Sequence, residues 1–175
     1  GSQFSYHALV KETTVATHNT VIDYLEMLEE ELFLKTMNKI SLPFKIERKK
    51  EKKAFFLDPL LCAIGERWAG GIEFPEASKV EQIVAAHISR LASAYFYNDG
   101  RQEIDCVAKI KGKTLGIEVK WSDNIKAGDT YAVKKTNVHY VLSKQTLKTE
   151  NDTPVIPVAL FLAMLDAKQL IKRNV

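Results

Sequence analysis

The sequence has few of the residues that build zinc centres or membrane spans. Its two cysteines, Cys62 and Cys106, stand alone, with no C-x-x-C pair and no metal-ligand spacing to any of the four histidines. The longest apolar run, residues 155–165, is interrupted by Pro157 and is shorter than a bilayer span. These absences argue against a zinc site and a membrane segment, and they favour a cytoplasmic protein.

The composition is that of a globular chain without a signal-peptide pattern. Its 175 residues are 46% hydrophobic, which suffices for one ordinary core and a small second one. The leading Gly1-Ser2 resembles the scar of a cleaved expression tag. We therefore expect the natural chain to extend further upstream.

The formal net charge of +3 is small, but the positive charges are unevenly distributed. Residues 45–53, here called the basic segment, concentrate six cationic side chains: Lys45, Arg48, Lys49, Lys50, Lys52 and Lys53. Such a run can follow a phosphate backbone, or it can be an ordinary solvated loop.

Two helices are predicted upstream of the basic segment. Residues 5–11 form a short one and residues 17–31 a longer one, with Thr17 as its N-cap. In the longer helix, apolar residues at three-and-four spacing predict a buried stripe of Val21, Tyr24, Leu25, Leu28 and Leu32. Its first turns present polar side chains where a recognition helix meets DNA, namely His18, Asn19 and Thr20.

Two short strands, residues 32–35 and 54–57, are predicted to flank the basic segment. Helix, turn, helix and a two-stranded basic wing is the order of a winged helix, truncated here by the absence of its first helix. The alternative is a helical hairpin that only packs against the rest of the chain. A helix over residues 59–69 and the pair Gly70-Gly71 then close an N-terminal domain, residues 1–71.

The second domain is predicted to span residues 72–175. Its first helix covers residues 78–91, with Ser78 as N-cap and Glu81 at the capping-box position. Strands are expected at 95–97, in a hairpin around residues 111–113, and at 138–142 and 155–158, followed by a helix over 159–172. An irregular or helical stretch precedes the fourth strand. The fold class is therefore mixed α/β.

The candidate functional residues lie on the predicted hairpin. Side chains alternate along a strand, so Glu118 and Lys120 share one side while Ile117 and Val119 point into a core. Asp105 lies on the preceding strand, so two carboxylates and an ammonium are expected on one small surface. Two close carboxylates repel each other unless a cation lies between them, and a hard divalent ion is the usual solution.

These features together resemble a known superfamily. A helix, three strands, a helix and a strand, with an acid on the second strand and Glu-x-Lys on the third, is similar to the PD-(D/E)xK, or restriction-endonuclease-like, core. More narrowly, residues 24–29, 56–61, 103–105 and 117–122 resemble the C-terminal region of archaeal and bacterial P-loop ATPases of the AAA-like or STAND type. In that group a winged helix and a nuclease-like domain follow the ATPase domain.

The resemblance implies roles for particular residues. Asp105 and Glu118 match the metal-binding acids, Lys120 the lysine that positions the attacking water, and Glu81 the helix acid that completes the metal shell. Ile104 stands where the motif has its proline. Mg²⁺ or Mn²⁺ is the expected cofactor. From the residues alone, Glu81 could equally cap its own helix, and the set on the hairpin could be the charged face of an ordinary sheet.

Glu103 lies two residues before Asp105 and therefore on the same strand face. It could be an extra metal ligand, or it could pair with Arg101 or Lys120. The segment 111–114 ends like a Walker A motif, but the first glycine of that motif would fall at Val107, so no ATP site is expected in this chain.

Three functions remain open at this stage. The chain could be a metal-dependent deoxyribonuclease module that binds DNA, a catalytically silent DNA-binding or regulatory module, or a protein-interaction platform. The expected partners are DNA and an upstream ATPase domain of the same chain, with no membrane. A homodimer would suit the cutting of two strands.

Overall fold

The molecule, seen in a computed structural model that describes residues 3–71, 73–150 and 152–165, is a mixed α/β fold. The described residues form nine strands: β1 (Gln3–Phe4), β2 (Leu34–Ser41), β3 (Lys45–Ile46), β4 (Lys52–Phe56), β5 (Ala94–Asn98), β6 (Glu103–Ile110), β7 (Lys113–Val119), β8 (Val138–Ser143) and β9 (Val155–Pro157). They also form five α-helices: α1 (Tyr6–Glu12), α2 (His18–Glu30), α3 (Pro59–Trp68), α4 (Glu76–Ser89) and α5 (Val158–Ala163). Two short 3₁₀ helices, Ala127–Thr130 and Val133–Lys135, lie between β7 and β8.

All nine described strands belong to one mixed sheet in the order β1-β4-β2-β5-β6-β7-β8-β9, with β3 paired to β2. The pairs β2–β5, β7–β8 and β8–β9 are parallel, and the other pairs are antiparallel. The second half of the chain thus has the predicted order of a helix, three strands, a helical crossover of two 3₁₀ turns, and a further strand.

Local sequence signals explain several element ends. The Thr17 side chain accepts a hydrogen bond from the Thr20 N–H and caps α2. Asp58 caps α3, whose first residue is Pro59. Between β6 and β7, Lys111 and Gly112 both have positive φ, which matches the two-residue turn that favours a tight hairpin. The predicted hairpin is therefore confirmed.

The packing core lies on both faces of the second half of the sheet. On one face, α4 and α5 cover β6, β7 and β8, with Val84, Ile88, Ile117, Leu142 and Phe161 buried together. On the other face, the turn around Val133 packs on Val107 and Val141. Since both faces are covered, side chains in these central strands are shielded from water.

The N-terminal half differs from the prediction in how it joins the rest. The strand β2 is eight residues long and pairs in parallel with β5, so the strands predicted as a free basic wing are built into the central sheet. The proposed boundary at residues 71 and 72 stays a prediction, but hydrogen bonds between β2 and β5 link the two sides. The stripe on α2 was partly wrong, because Tyr24 is 52% exposed and Leu32 67%.

Two further predictions concern helix ends. The helix α4 begins at Glu76 after Pro75, and no side chain caps it, so the proposed capping box of Ser78 and Glu81 is wrong. Both residues lie inside the helix because its start is two residues earlier than the polar pattern suggested. Of the closing helix predicted over 159–172, α5 covers the first part, and residues 166–172 lie outside the described residues, as do Gly1 and Ser2.

Candidate functional site

The site lies where the hairpin of β6 and β7 opens. The ladder between these strands ends at the pair Cys106 and Ile117. Beyond it, the Val119 N–H donates a 2.9 Å hydrogen bond to Oδ2 of Asp105 rather than to the facing backbone. On the other side of β6, the register with β5 shifts between Tyr95 and Tyr97, which indicates a bulge. The opening and the bulge together place Asp105, a residue of β6, beside the last residue of β7.

Asp105 is largely buried at this opening, and its side chain is 11% exposed. Its Oδ2 is held by the Val119 N–H, and its Oδ1 lies 3.5 Å from the Lys53 ammonium. Burial and the nearby charge of Glu81 raise the pKa of Asp105, while Lys53 and the Val119 hydrogen bond oppose that rise. The environment of Asp105 is thus short of positive charge.

Glu118 lies beside Asp105, close enough for their charges to repel. As predicted, its neighbours Ile117 and Val119 point into the core, while its own side chain is only 9% exposed and its Oε1 lies 2.8 Å from the Lys120 ammonium. Its Oε2 is buried and has no hydrogen-bond partner among the described residues. Burial and the charge of Asp105 raise the pKa of Glu118 to about 8, against the opposing effect of Lys120.

Lys120 follows the last residue of β7 and is the most accessible member of the set. Its side chain is 36% exposed, and its ammonium also lies 3.9 Å from Oδ1 of Asp129. Burial alone would lower the pKa of Lys120, but the hydrogen bond from its ammonium to Glu118 and the surrounding carboxylates raise it. A charged ammonium is therefore held at the mouth of the site. The structure brings Asp105, Glu118 and Lys120 together as the sequence predicted.

A fourth residue, Lys53, enters the site from β4. Its ammonium lies 2.6 Å from Glu103 Oε1 and 3.5 Å from Asp105 Oδ1, and it lies 5.5 Å from the ring centre of Phe96. The residue is 4% exposed. Burial would lower the pKa of Lys53, yet Asp105 and the hydrogen bond to Glu103 outweigh burial and raise it.

Lys53 was predicted to bind DNA as part of the basic segment, and its buried position corrects this prediction. A signal was present: Lys53 lies two residues before the buried Phe55, so on a strand the two side chains share one face. Lys52 is also buried, and its ammonium donates hydrogen bonds to Asn38 Oδ1 at 2.6 Å and to the Arg48 carbonyl at 2.9 Å. Neither lysine is available to a phosphate backbone.

The rest of the predicted DNA-binding set is accessible. Four residues of the basic segment are exposed, and within the described ranges none of them forms an ion pair: Lys45, Arg48, Lys49 and Lys50. On the first turn of α2, His18 and Asn19 are exposed and Thr20 is half-buried. The His18 ring nitrogen Nε2 lies 3.3 Å from Nδ1 of His7, so the two imidazoles share a hydrogen bond.

The structure also gives the positions of Glu81 and Glu103, the two acids for which the sequence left alternative roles open. Glu81 projects from α4 into a small crevice that Lys53 and Asp105 also line, and its charge acts on both. Glu103 pairs with Lys53, which is neither of the partners expected for it, and its side chain is 37% exposed. We call Glu81, Glu103, Asp105 and Glu118 the carboxylate cluster.

The fit of this cluster to a divalent cation is partial. Carboxylate oxygens are the ligands that Mg²⁺ and Mn²⁺ prefer, and the unpartnered Oε2 of Glu118 is a free ligand atom. Burial and the neighbouring carboxylates raise the pKa values of both Asp105 and Glu118, so their charged forms lack compensating positive charge. In the part of the chain that is described, however, no three His, Cys, Asp or Glu side chains already converge as a metal site.

Comparison with known proteins adds one finding. A family model matches residues 77–161. Its description is a domain of unknown function (DUF4143), a domain that is found in the C-terminal region of ATPase-associated proteins. The match runs from α4 to α5 and so contains the whole carboxylate cluster and Lys120, but not Lys53. No curated protein and no solved structure matches the chain. Within the described residues, no helix is long and apolar enough to cross a membrane.

Proposed function

We propose that this chain is a DNA-binding, divalent-metal-dependent phosphodiesterase module in the C-terminal part of a larger ATPase. The observation that carries the proposal is the unpartnered, buried Oε2 of Glu118 next to Asp105, with the Lys120 ammonium 2.8 Å from Oε1. The order of α4, the antiparallel strands β5, β6 and β7, and the parallel β8 supports a restriction-endonuclease-like core. The similarity of residues 77–161 to a domain found in ATPase-associated proteins supports the link to an ATPase.

Each residue of the site has a distinct part in this proposal. Asp105 and Glu118 would hold Mg²⁺ or Mn²⁺, with Glu81 completing the set and Glu103 at its edge. When bound, the cation would neutralise phosphate oxygens and lower the pKa of its water. Lys120 reaches the mouth of the site, where its ammonium can orient a water molecule and stabilise negative charge that develops on the phosphate. Glu118 and Asp129 fix the direction of that ammonium.

The test is cleavage by the purified chain with Mn²⁺ on single-stranded, double-stranded and branched DNA. We expect cleavage by the parent, and we expect Glu118→Ala and Lys120→Ala to reduce it about a hundredfold or more, because the first removes a proposed metal ligand and the second a positive charge that stabilises the phosphate. Lys113→Ala removes a lysine from the start of the same strand and serves as the matched control. A parent chain that cleaves none of the three substrates would exclude the enzymatic function.

Binding of DNA is tested separately and without a divalent cation. Replacing Lys49 and Lys50 with glutamine should weaken DNA binding and make it less dependent on salt, since each lost phosphate contact lowers the salt slope by about 0.7 to 0.9. The matched control neutralises Lys111 and Lys113 at the hairpin turn. Equal affinities of the two double variants would remove the basic segment from the proposed interface.

One observation favours a second candidate, a catalytically silent DNA-binding or regulatory module. The Lys53 ammonium already lies between Glu103 and Asp105 and offsets part of their negative charge, as a bound cation would. In that case the nuclease-like fold would act as a scaffold, and Mn²⁺ would not bind at the carboxylate cluster. DNA binding that depends on Lys49 and Lys50, without cleavage, is the result this candidate predicts. The winged helix, the homodimer and the cytoplasmic location stay predictions.

A further inference from the structure

Among the described residues, Lys53 is the least exposed charged side chain. A lysine is rarely buried to this degree unless it is paired, and here both of its partners belong to the carboxylate cluster. Its ammonium bridges Glu103 and Asp105, which lie two residues apart on the bulged end of β6. Burial keeps water from screening the interaction between Lys53 and Asp105, so the two charges act on each other strongly.

The two oxygens of Asp105 determine what else it can bind. Oδ2 accepts the hydrogen bond from the Val119 N–H, whereas Oδ1 accepts none from the described backbone and keeps the greater capacity for a cation. That same oxygen faces the Lys53 ammonium at 3.5 Å. A divalent cation at Asp105 would therefore share this oxygen with a positive charge that the chain itself supplies.

We propose that Lys53 is an internal counterion that competes with a divalent cation for Asp105 and thereby sets how tightly the carboxylate cluster binds metal. The inference rests on the proposed function, in which Asp105 and Glu118 hold the cation. Glu118, whose Oε2 is buried and unpartnered among the described residues, supplies a second and independent sign of a ligand at this place. Lys53 is a positioning residue here, because its ammonium acts through Glu103 and Asp105.

A purely structural role for Lys53 predicts the opposite behaviour. If the ammonium only held Asp105 in place, its removal would misplace a metal ligand and weaken metal binding. If it competes, its removal leaves the ligand with a fuller negative charge and strengthens binding. The sign of the change in affinity therefore separates the two roles.

The experiment is a calorimetric titration of the chain with MnCl₂ and no nucleic acid, together with thermal melts with and without Mn²⁺. The variants are Lys53→Met and Lys53→Gln, of which the second keeps a hydrogen-bonding group for Glu103. The matched control is Lys52→Met, which loses the same charge at the neighbouring buried lysine, bonded to Asn38 and the Arg48 carbonyl instead of the cluster.

We expect both Lys53 variants to bind Mn²⁺ about tenfold more tightly than the parent or better, and the control to stay within about threefold. Variants that fold only when Mn²⁺ is present would also support competition, since the metal then replaces the lysine. Equal affinity of parent and Lys53 variants, or equal tightening in the control, would overturn the inference while leaving the metal site in place.

Two other outcomes also count against it. Lys53 variants that fail to fold even with Mn²⁺ would show that Lys53 is a structural support, and the parent titration would still report on the metal site. Failure of every chain, the parent included, to bind Mn²⁺ would overturn the proposed function and this inference together.

Discussion

The buried carboxylate of Glu118 gives the sharpest expectation about stability. We predict that Glu118→Gln makes the free energy of unfolding less dependent on pH and raises it at alkaline pH. In the folded chain, burial and Asp105 raise the pKa of Glu118 from 4.5 to about 8. Between these values the folded state binds more protons than the unfolded state, so the parent loses stability as the pH rises.

The size of the effect follows from the pKa. Each unit corresponds to about 1.4 kcal/mol, so Glu118 alone would remove roughly 4 to 5 kcal/mol between about pH 4 and pH 9. Asp105 titrates together with Glu118, which spreads this loss over the pair. The glutamine also loses its charged hydrogen bond with Lys120, which costs roughly 1 to 3 kcal/mol. We therefore expect the variant to be about 1 to 3 kcal/mol more stable than the parent near pH 9.

The assay is urea unfolding followed by circular dichroism from about pH 5 to pH 9, without divalent cations. The control is Glu30→Gln, which removes the same charge at an exposed position near the end of α2. The control should follow the parent curve. If the parent and Glu118→Gln lose stability equally over this range, the carboxylate of Glu118 is not held in the buried, repelling environment described here.

Two further expectations concern the scaffold. Gly116→Ala should destabilise the chain by about 1 to 3 kcal/mol in urea unfolding, since a Cβ at Gly116 would lie 2.6 Å from Oγ1 of Thr136. An unchanged midpoint of the urea transition would mean that Thr136, in the turn before β8, moves aside at little cost. Asp58→Ala should cost about 1 kcal/mol, because the Asp58 side chain accepts a 2.8 Å hydrogen bond from the Leu60 N–H at the start of α3, and Asp58→Asn, which keeps a capping oxygen, should recover most of that loss.

Much of the second half of the fold follows from local sequence. Alternation along β7 correctly separated Glu118 and Lys120 from Ile117 and Val119, because strand geometry fixes which side chains share a face. The turn at Lys111 and Gly112 could also be predicted, because a two-residue hairpin turn needs two positive φ angles and glycine adopts such an angle easily. These signals depend only on neighbours in the chain.

The failures have a common physical origin. The predicted capping box on α4 was wrong, because the helix begins before Ser78 and is stabilised by packing of Val84 and Ile88 rather than by a side-chain cap. Composition suggested a solvated loop or wing around Lys52 and Lys53. The pairing of β2 with β5 draws that region into the central sheet, and no local pattern specifies which distant strands will pair.

The sequence by itself determined the residue types of the site, the hairpin that carries Asp105, Glu118 and Lys120, and the faces on which they lie, because strand periodicity and turn chemistry are local. Only the tertiary structure decided how charged that site is. It brought Lys53 from β4 against Asp105, left Oε2 of Glu118 unpartnered among the described residues, and removed most of the water from both carboxylates. Electrostatics in a protein interior depends on which distant charges meet and how much water they lose, and that information lies in the packing of the whole sheet.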